Sequence, residues 1–149
     1  MNLKELVNLK VFKYRNVISV GPTDTVAVTI EKMAEHDRGS LPVCDEKGKL
    51  VGIISERDIV RKLYASKCAS ADKTQVKEIM SKEVIIGKAG DDLSYAINVM
   101  KEKRIRHLPV MDGRNLIGMI SMRDLLGVEL EESRTEVQLL NDYMFGANR

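Results

Sequence analysis

Two short stretches place the same polar residues, at the same spacing, between an apolar run and an apolar helix start. SERD (55–58) follows LVGII, and SMRD (121–124) follows LIGMI. A serine at the start of a helix lies beside free backbone N–H groups and the positive end of the helix dipole, which together attract a phosphate. An aspartate on the first turn can accept hydrogen bonds from the two neighbouring hydroxyls of a ribose. The pattern therefore predicts nucleotide contacts from Ser55, Asp58, Ser121 and Asp124.

The same pattern has a second interpretation. Ser-x-x-Asp before an apolar run is also a capping box, in which both side chains satisfy backbone donors of their own helix. A single copy favours capping, because helix caps far outnumber ligand sites. Duplication does not decide the matter, since caps are duplicated too. On these residues alone both interpretations stay open.

The two stretches belong to a repeat that covers most of the chain. Residues 17–60 align with residues 84–126 at an offset of 67, falling to 66 after a one-residue deletion, with 16 identities among 43 pairs. Apolar positions and turn positions recur together. This indicates that a whole supersecondary unit is duplicated.

Each unit has the pattern of a strand, a helix, two strands and a second helix. Short β-branched runs at 17–20 and 83–86 predict the first strands. Asp and Thr residues at 24–25 and 91–92 are N-cap candidates for amphipathic helices. Two apolar runs around a Gly-containing turn predict a hairpin in each unit, with Pro42 and Pro109 at the start of a strand. The second helices are predicted at 56 to about 69 and at 122 to about 128.

Four segments follow from this pattern. Residues 1–16 form an N-terminal helix near 3–9 and a lead-in, and 17–69 form the first unit. Residues 70–127 form a connector, a small helix and the second unit. Residues 128–149 form an amphipathic helix with Val137, Leu140 and Met144 on one stripe, which we expect to pack on its own domain or a twin subunit.

Composition excludes several classes of protein. The chain has 149 residues, of which 44% are hydrophobic, enough for one good core. The chain has 24 Lys and Arg residues and 22 Asp and Glu residues, and this charge is too balanced for a protein whose main role is to bind a polyanion. Cys44 and Cys68 lack C-x-x-C spacing, which favours free buried thiols in a reducing compartment. Without a signal-peptide core or a membrane-length apolar run, we expect a soluble cytoplasmic protein.

The repeated features together resemble a known family. The order of elements, the LPV strand start, the L-[VI]-G-[IM]-I-S strand and the S-x-x-D helix start, all present twice, resemble a tandem pair of CBS domains, named after cystathionine β-synthase. The resemblance covers residues from about 10 to 127. Within the family, the chain is similar to small stand-alone bacterial or archaeal pairs. It implies an α/β (α+β) fold of two β-α-β-β-α motifs about a pseudo-twofold axis, with packed sheets and a C-terminal helix.

The resemblance also implies a function. Such pairs are regulatory modules that bind adenosine-containing ligands in two clefts between the motifs, and they often form homodimers. AMP is the ligand that we expect first, with ATP, ADP, NAD and S-adenosylmethionine as members of the same class. Partners would be the nucleotide, a second copy and an unidentified protein target.

The family's binding positions can be carried onto this sequence residue by residue. The serine and aspartate take the phosphate and ribose roles given above. The strand-start residues that face the cleft in this family are Gly39, Ser40, Arg106 and His107. The family's base-binding positions are Ile53, Met119, Asp24, Thr29, Asp91 and Ala96. Considered singly, each of these residues fits ordinary core or helix-cap positions better.

Charge differs between the two units. The stretch KEKRIRH (101–107) is basic, whereas its equivalent AEHDRGS (34–40) is nearly neutral, which predicts two non-equivalent clefts. We expect the better cleft to join Ser55 and Asp58 to the basic stretch. The alternative is a solvated basic helix end. Arg57 and Arg123 are likewise either phosphate contacts or partners in surface ion pairs.

Three other functions are less favoured by the residues. Catalysis is not expected, because the chain has two histidines and no H-E-x-x-H, G-x-S-x-G, P-loop or G-x-G-x-x-G pattern, so no metal centre or catalytic group is indicated. Nucleic-acid binding would depend on KEKRIRH alone, with 4% aromatic residues and no Trp for stacking. A protein-interaction adaptor with vestigial clefts, acting through the C-terminal helix, is the remaining alternative.

Overall fold

The structure, a computed structural model, describes residues 1–9, 17–67 and 70–146. Its helices are α1 (Leu3–Val7), α2 (Val26–His36), α3 (Glu56–Ala65), α4 (Val76–Ile79), α5 (Leu93–Lys103) and α6 (Met122–Phe145). Its strands are β1 (Ser40–Cys44), β2 (Leu50–Ser55), β3 (Gly87–Lys88), β4 (His107–Asp112) and β5 (Asn115–Ser121). In the part of the chain that is described, no helix is both long and apolar enough to cross a membrane.

The two predicted hairpins are present and have the same register. β1 pairs antiparallel with β2, and Ser40 lies opposite Ser55. β4 pairs antiparallel with β5, and His107 lies opposite Ser121. The residue that starts each hairpin is thereby held next to the serine that starts the following helix. Pro42 and Pro109 are third residues of their strands and not first residues, which corrects the prediction.

The predicted first strands are wrong in extent. In the first unit only Val20 pairs, through a single parallel bridge to Val43. In the second unit the strand is β3 and not residues 83–86, and it pairs parallel with β4 through Gly87 and Val110. A Cβ at Gly87 would lie 2.6 Å from Leu3, so this glycine allows the chain to pass close to α1. Packing against neighbouring elements, which a β-branched run does not encode, sets these boundaries.

Each unit has its own apolar core. The first core contains residues of α2, β1, β2, α3 and α4, with Val26, Leu41 and Ile54 almost fully buried. The second contains residues of α1, α5, β4, β5 and α6. The two hairpins face each other, and a cavity of about 40 Å³ lies between β1 and β5.

The short helices α1 and α4 are copies of each other, which the repeat alignment did not detect. NLKELV (2–7) and QVKEIM (75–80) have matching polar and apolar positions. Leu3 N–H donates to Asp91 O at 3.0 Å, and Val76 N–H donates to Asp24 O at 2.8 Å. Each short helix therefore packs against the unit that it does not precede. This exchange supports the pseudo-twofold arrangement and ties the N-terminus to the second unit.

The second helices also differ from the prediction. α3 ends at Ala65, before the predicted end near residue 69, where residues 68 and 69 lie outside the described part. The predicted break at residue 128 is wrong, because α6 runs without interruption to Phe145. Residues 10–16 of the predicted lead-in, and Cys68, lie outside the described residues. Cys44 is free and half-buried, and its burial raises the pKa of the thiol.

Candidate functional site: a cleft between the two units

Both Ser-x-x-Asp segments open into one continuous cleft between the two units. Its volume is about 1770 Å³, more than one small-molecule ligand fills. The walls are formed by the starts of β1 and β4, the ends of β2 and β5, and the first turns of α3 and α6. Twelve predicted residues line it: Gly39, Ser40, Ile53, Ser55, Arg57, Asp58, Arg106, His107, Met119, Ser121, Arg123 and Asp124.

The capping box is formed at both helix starts. Asp58 N–H donates to Ser55 Oγ at 3.1 Å, and Ser55 N–H donates to Asp58 Oδ2 at 3.1 Å. Ser121 and Asp124 make the same two bonds, each at 3.1 Å. Capping still leaves capacity for a ligand, because a carboxylate offers about four lone-pair sites and each serine hydroxyl can still donate its hydrogen. The two interpretations of the motif are therefore compatible.

A second hydrogen bond ties each helix start to its hairpin. Glu56 N–H donates to Gly39 O at 3.0 Å, and Met122 N–H donates to Arg106 O at 2.8 Å. The N–H groups of the first and third helical residues are thus already engaged. Fewer free amides therefore remain for the expected phosphate site, and a phosphate bound there would depend more on side chains.

Those side chains are mainly arginines. Among the residues described, the cleft is lined by six arginines and by no lysine, although lysines are more numerous in the chain. The guanidinium group is planar and presents paired N–H donors that match phosphate oxygens, whereas an ammonium acts as a point charge. Five acidic residues line the same cleft, so its field is not strongly positive. The arginines are Arg38, Arg57, Arg61, Arg104, Arg106 and Arg123.

Sequence analysis did not include three of these arginines among the site residues: Arg38, Arg61 and Arg104, the last of which lies in the basic stretch 101–107. Arg61 lies four residues after Arg57 on α3, so helical periodicity could have assigned it to the same face. Arg38 follows Asp37, which ends α2 in a left-handed conformation with φ of 52°. No sequence pattern predicts where the chain points after such a turn.

One buried hydroxyl in the cleft wall has no hydrogen-bond partner in the described part of the chain. Ser40 is 3% exposed, and its Oγ makes no hydrogen bond with the described residues. A buried polar atom without a partner costs about 1–3 kcal/mol. A ligand atom that bonds to Ser40 Oγ would remove this cost.

His107 occupies the equivalent position of the second unit. A Cβ added to Gly39 would lie 3.5 Å from His107 Nε2 and 3.8 Å from Glu56 Cδ, so the ring packs over the first unit's strand start. Burial lowers the pKa of His107, the Arg106 charge lowers it further, and Glu56 and Asp124 act in the opposite direction. The imidazole is therefore neutral at pH 7, and it can both donate and accept a hydrogen bond.

Four residues expected at a base-binding site do not line this cleft: Asp24, Thr29, Asp91 and Ala96. Ala96 is part of the second core. Thr29 is fully buried, and its hydroxyl donates to Thr25 O at 3.1 Å. Asp24 and Asp91 each accept a backbone N–H in a turn, at 2.7 and 2.8 Å. Ile53 and Met119 are the predicted base-binding positions that remain at the cleft.

Apolar residues of the cleft wall were also missed, among them Val60, Ile105 and Leu126. Val60 and Leu126 lie two residues after the motif aspartates, where the helical pattern alone allows either burial or exposure. Among the described residues, no group of three His, Cys, Asp or Glu side chains is placed to hold a metal ion.

Two similar units that share a cleft define a tandem domain pair, and comparison with known proteins identifies its family. A model of the CBS domain matches residues 12–65 and again residues 76–131. The chain belongs to the CBS domain family and carries two copies of the domain. CBS domain pairs are regulatory modules, and the expected family and α/β fold are both confirmed.

Relatives and solved structures agree with this assignment. Protein MK0525 of Methanopyrus kandleri is 39% identical over 116 residues, which are 77% of this chain and 59% of that one. An inosine-5'-monophosphate dehydrogenase of Methanocaldococcus jannaschii is 40% identical over 114 residues, which are 75% of this chain and 21% of the enzyme. The chain thus spans less than two thirds of the length of these relatives.

A CBS-domain protein from Burkholderia ambifaria, whose structure is solved, is 30% identical and has a TM-score of 0.77, covering 100% of this chain and 97% of the other. The CBS domain pair of protein MJ0100, solved in complex with 5'-methylthioadenosine and S-adenosyl-L-methionine, is 22% identical with a TM-score of 0.72. It covers 89% of this chain and 98% of the other, and at that identity the likeness concerns the fold.

Proposed function

We propose that this chain is a regulatory module that binds an adenosine nucleotide in the cleft between its two CBS domains. AMP is the first ligand proposed, and ADP, ATP and NAD belong to the same class. The single observation that carries the proposal is that, among the described residues, six arginines and no lysine line the cleft, next to two serine-capped helix starts.

The phosphate end is assigned to the arginines and the serine hydroxyls. Arg57 and Arg61 come from α3 in the first unit, whereas Arg106 comes from the start of β4 in the second. A phosphate between them would be held by both units at once. Ser55 still has its hydroxyl hydrogen to donate, because in the capping box its oxygen acts as the acceptor.

The sugar and base ends are assigned to residues on both sides of the phosphate site. Asp58 keeps an oxygen for ribose hydroxyls when Oδ2 accepts from Ser55 N–H. Ile53 and Met119 are partly exposed at the strand ends before each serine and offer apolar contact to a base. Neutral His107 and the unpartnered hydroxyl of Ser40 add polar contacts at the base edge.

Regulation follows from the position of the site. A ligand that touches both units changes the free energy of their relative arrangement, and it shifts that equilibrium only by its differential affinity for the two states. A second copy of the chain or a protein target is proposed to respond to this change in arrangement. MJ0100, which was solved with two adenosine compounds, is a protein of the same fold that binds this class of ligand.

The test is a calorimetric titration with AMP, ADP, ATP, NAD and S-adenosylmethionine, with adenosine as the phosphate-free control. Asp58→Asn keeps an acceptor oxygen for Ser55 N–H but loses one of the two oxygens available to ribose. We expect its affinity for the bound nucleotide to fall at least tenfold, about 1.4 kcal/mol. Asp142→Asn, exposed near the end of α6, is the matched control and should bind as the unmodified chain does.

Thermal unfolding gives an independent measurement. A ligand in excess stabilises the folded state by mass action, so the melting temperature should rise with nucleotide concentration. If no compound of the panel raises it and none gives a binding heat, the proposed function is wrong.

A further inference from the structure

The second half of α6 extends away from the rest of the molecule. Leu125 is its last buried residue, and every residue from 130 to 146 is exposed. A single helix with no packing partner is marginal in water, because nucleation is costly and its apolar side chains remain hydrated. The exposed apolar side chains of this segment are Leu130, Val137, Leu139, Leu140, Tyr143, Met144 and Phe145.

One stripe of this segment has coiled-coil spacing. Starting from residue 126, the stripe advances by alternating steps of four and three residues, which is the a/d pattern of a heptad. Leu130, Val137 and Met144 fall at a positions. Leu126, Ser133 and Leu140 fall at d positions. A β-branched residue at a with leucine at d favours two-stranded parallel pairing, and Val137 lies at the central a position.

Charges beside the stripe select the orientation. In a parallel in-register pair, Glu129 at a g position lies next to Arg134 at the following e position of the other helix. By symmetry this opposite-charge pair forms twice. An antiparallel pair that buries the whole stripe would instead bring Glu136 close to its own copy and Arg134 close to its own copy. Like charges in those places are unfavourable, so the sequence complements itself in one direction only.

We propose that residues 126–144 of α6 bind the same segment of a second copy of this chain as a parallel two-stranded coiled coil. The interface is isologous, so its twofold axis runs along the helices and places both two-domain bodies at the same end. Leu126 lines the cleft and also begins the stripe, so the proposed seam starts in the second turn of α6, close to the cleft.

Disulfide formation in the full chain tests this arrangement. In a Cys44→Ser, Cys68→Ser background, Val137→Cys places a thiol at a central a position, where the two copies face each other across the seam. Thr135→Cys is the matched control, because it is exposed on the opposite face of the same helix turn. Under mild oxidation we expect Val137→Cys to form covalent dimer at least tenfold faster than Thr135→Cys. Equal rates, or no dimer from Val137→Cys, would overturn the proposal, whether the stripe is covered antiparallel, by another protein or not at all.

A charge reversal tests the orientation separately. Glu129→Arg should slow the cross-linking of Val137→Cys severalfold, and adding Arg134→Glu should restore the original rate, because the two opposite-charge pairs are rebuilt with exchanged signs. Glu131→Arg, which lies off the seam, is the control and should leave the rate unchanged. If the double reversal is no faster than Glu129→Arg alone, the parallel register is wrong.

Discussion

The two sides of the cleft share one backbone framework but differ in the side chains that they present. Each unit holds its helix start by a capping box and by an N–H···O bond to the start of its hairpin, with nearly the same distances. At the hairpin start itself the first unit has Gly39 and Ser40, whereas the second has Arg106 and His107. The backbone framework is therefore repeated, whereas the side chains that line the cleft differ between the two halves.

A second difference lies one turn into the helices. Arg61 of α3 is replaced by Gly127 at the equivalent position of α6. Both helices carry an arginine on the first turn, Arg57 and Arg123, but Arg61 is present in the first unit only, and Arg106, directly before the hairpin strand, in the second unit only. A phosphate that meets both must lie across the pseudo-twofold axis, so a ligand bound there joins the two halves.

The largest expected effect concerns the strand glycines, Gly52 and Gly118, which occupy equivalent positions. A Cβ at Gly52 would lie 2.7 Å from Met80 Sδ and 3.0 Å from the Ser81 carbonyl oxygen, whereas the three atoms nearest to a Cβ at Gly118 all belong to the Val7 side chain, the closest at 3.0 Å. We expect Gly52→Ala to lower the free energy of unfolding by about 3 kcal/mol and Gly118→Ala by about 1 kcal/mol. Urea unfolding measures both. Equal losses would mean that the two units do not differ in packing rigidity here.

The next effect tests the division of ligand chemistry. Arg106→Gln removes the cation at the second strand start, and we expect AMP affinity to fall at least tenfold, about 1.4 kcal/mol, in calorimetric titration. Arg114→Gln, exposed in the β4–β5 turn, removes the same charge away from the cleft and should have no effect. Equal losses from the two variants would attribute binding to overall charge and not to this contact.

A smaller effect tests the shared framework. Ser55→Ala and Ser121→Ala each remove one cap, and each should lower the free energy of unfolding by about 1 kcal/mol. Because the two capping boxes have the same bond lengths, the two losses should be nearly equal. A loss at one position only would show that the caps are not equivalent in energy.

The smallest effect is a pH dependence from His107, which Ser40, the equivalent residue of the first unit, does not have. Burial and Arg106 lower the pKa of His107 below 6.5, so below that pH the unfolded chain binds the proton more readily than the folded chain. This contribution to stability is complete above pH 6.5 and is lost as the pH falls through the folded-state pKa. Glu56 and Asp124, which also face the ring, limit its size.

His107→Gln should remove this component from the pH profile of the melting temperature. Ser40, at the equivalent position, does not titrate, so Ser40→Ala should keep the profile. An unchanged profile in His107→Gln would show that the ring does not contribute.

Strong local patterns predicted much of this molecule. The duplicated hairpins and the Ser-x-x-Asp helix starts were predictable because capping and period-two burial act within a few residues. The strand at 83–86 was predicted wrongly, because pairing of β3 depends on where Gly87 lets α1 approach. The exchange of α1 and α4 was missed because that pair repeats at an offset of 73 and not 67.

The structure brings the predicted residues nearest the helix starts into the wall of the cleft. Asp24 and Asp91 were expected at the base, but each lies in a turn outside the cleft lining, where its Oδ2 accepts a backbone N–H. Ala96 and Thr29 are buried inside the two units. They were expected at the site because the buried face of a helix and a ligand-facing side have the same pattern in a single sequence. Whether Arg38 reaches the cleft depends on the direction of the chain after the left-handed residue Asp37. Tertiary packing determines that direction.

The most direct test of the central claim is a titration of the isotope-labelled chain with AMP, followed by backbone amide NMR. We predict saturable shifts concentrated at residues 39–40, 55–58, 106–107 and 121–124, from both halves with one common dissociation constant. No saturable shifts, or shifts confined to surfaces away from the cleft, would contradict the account.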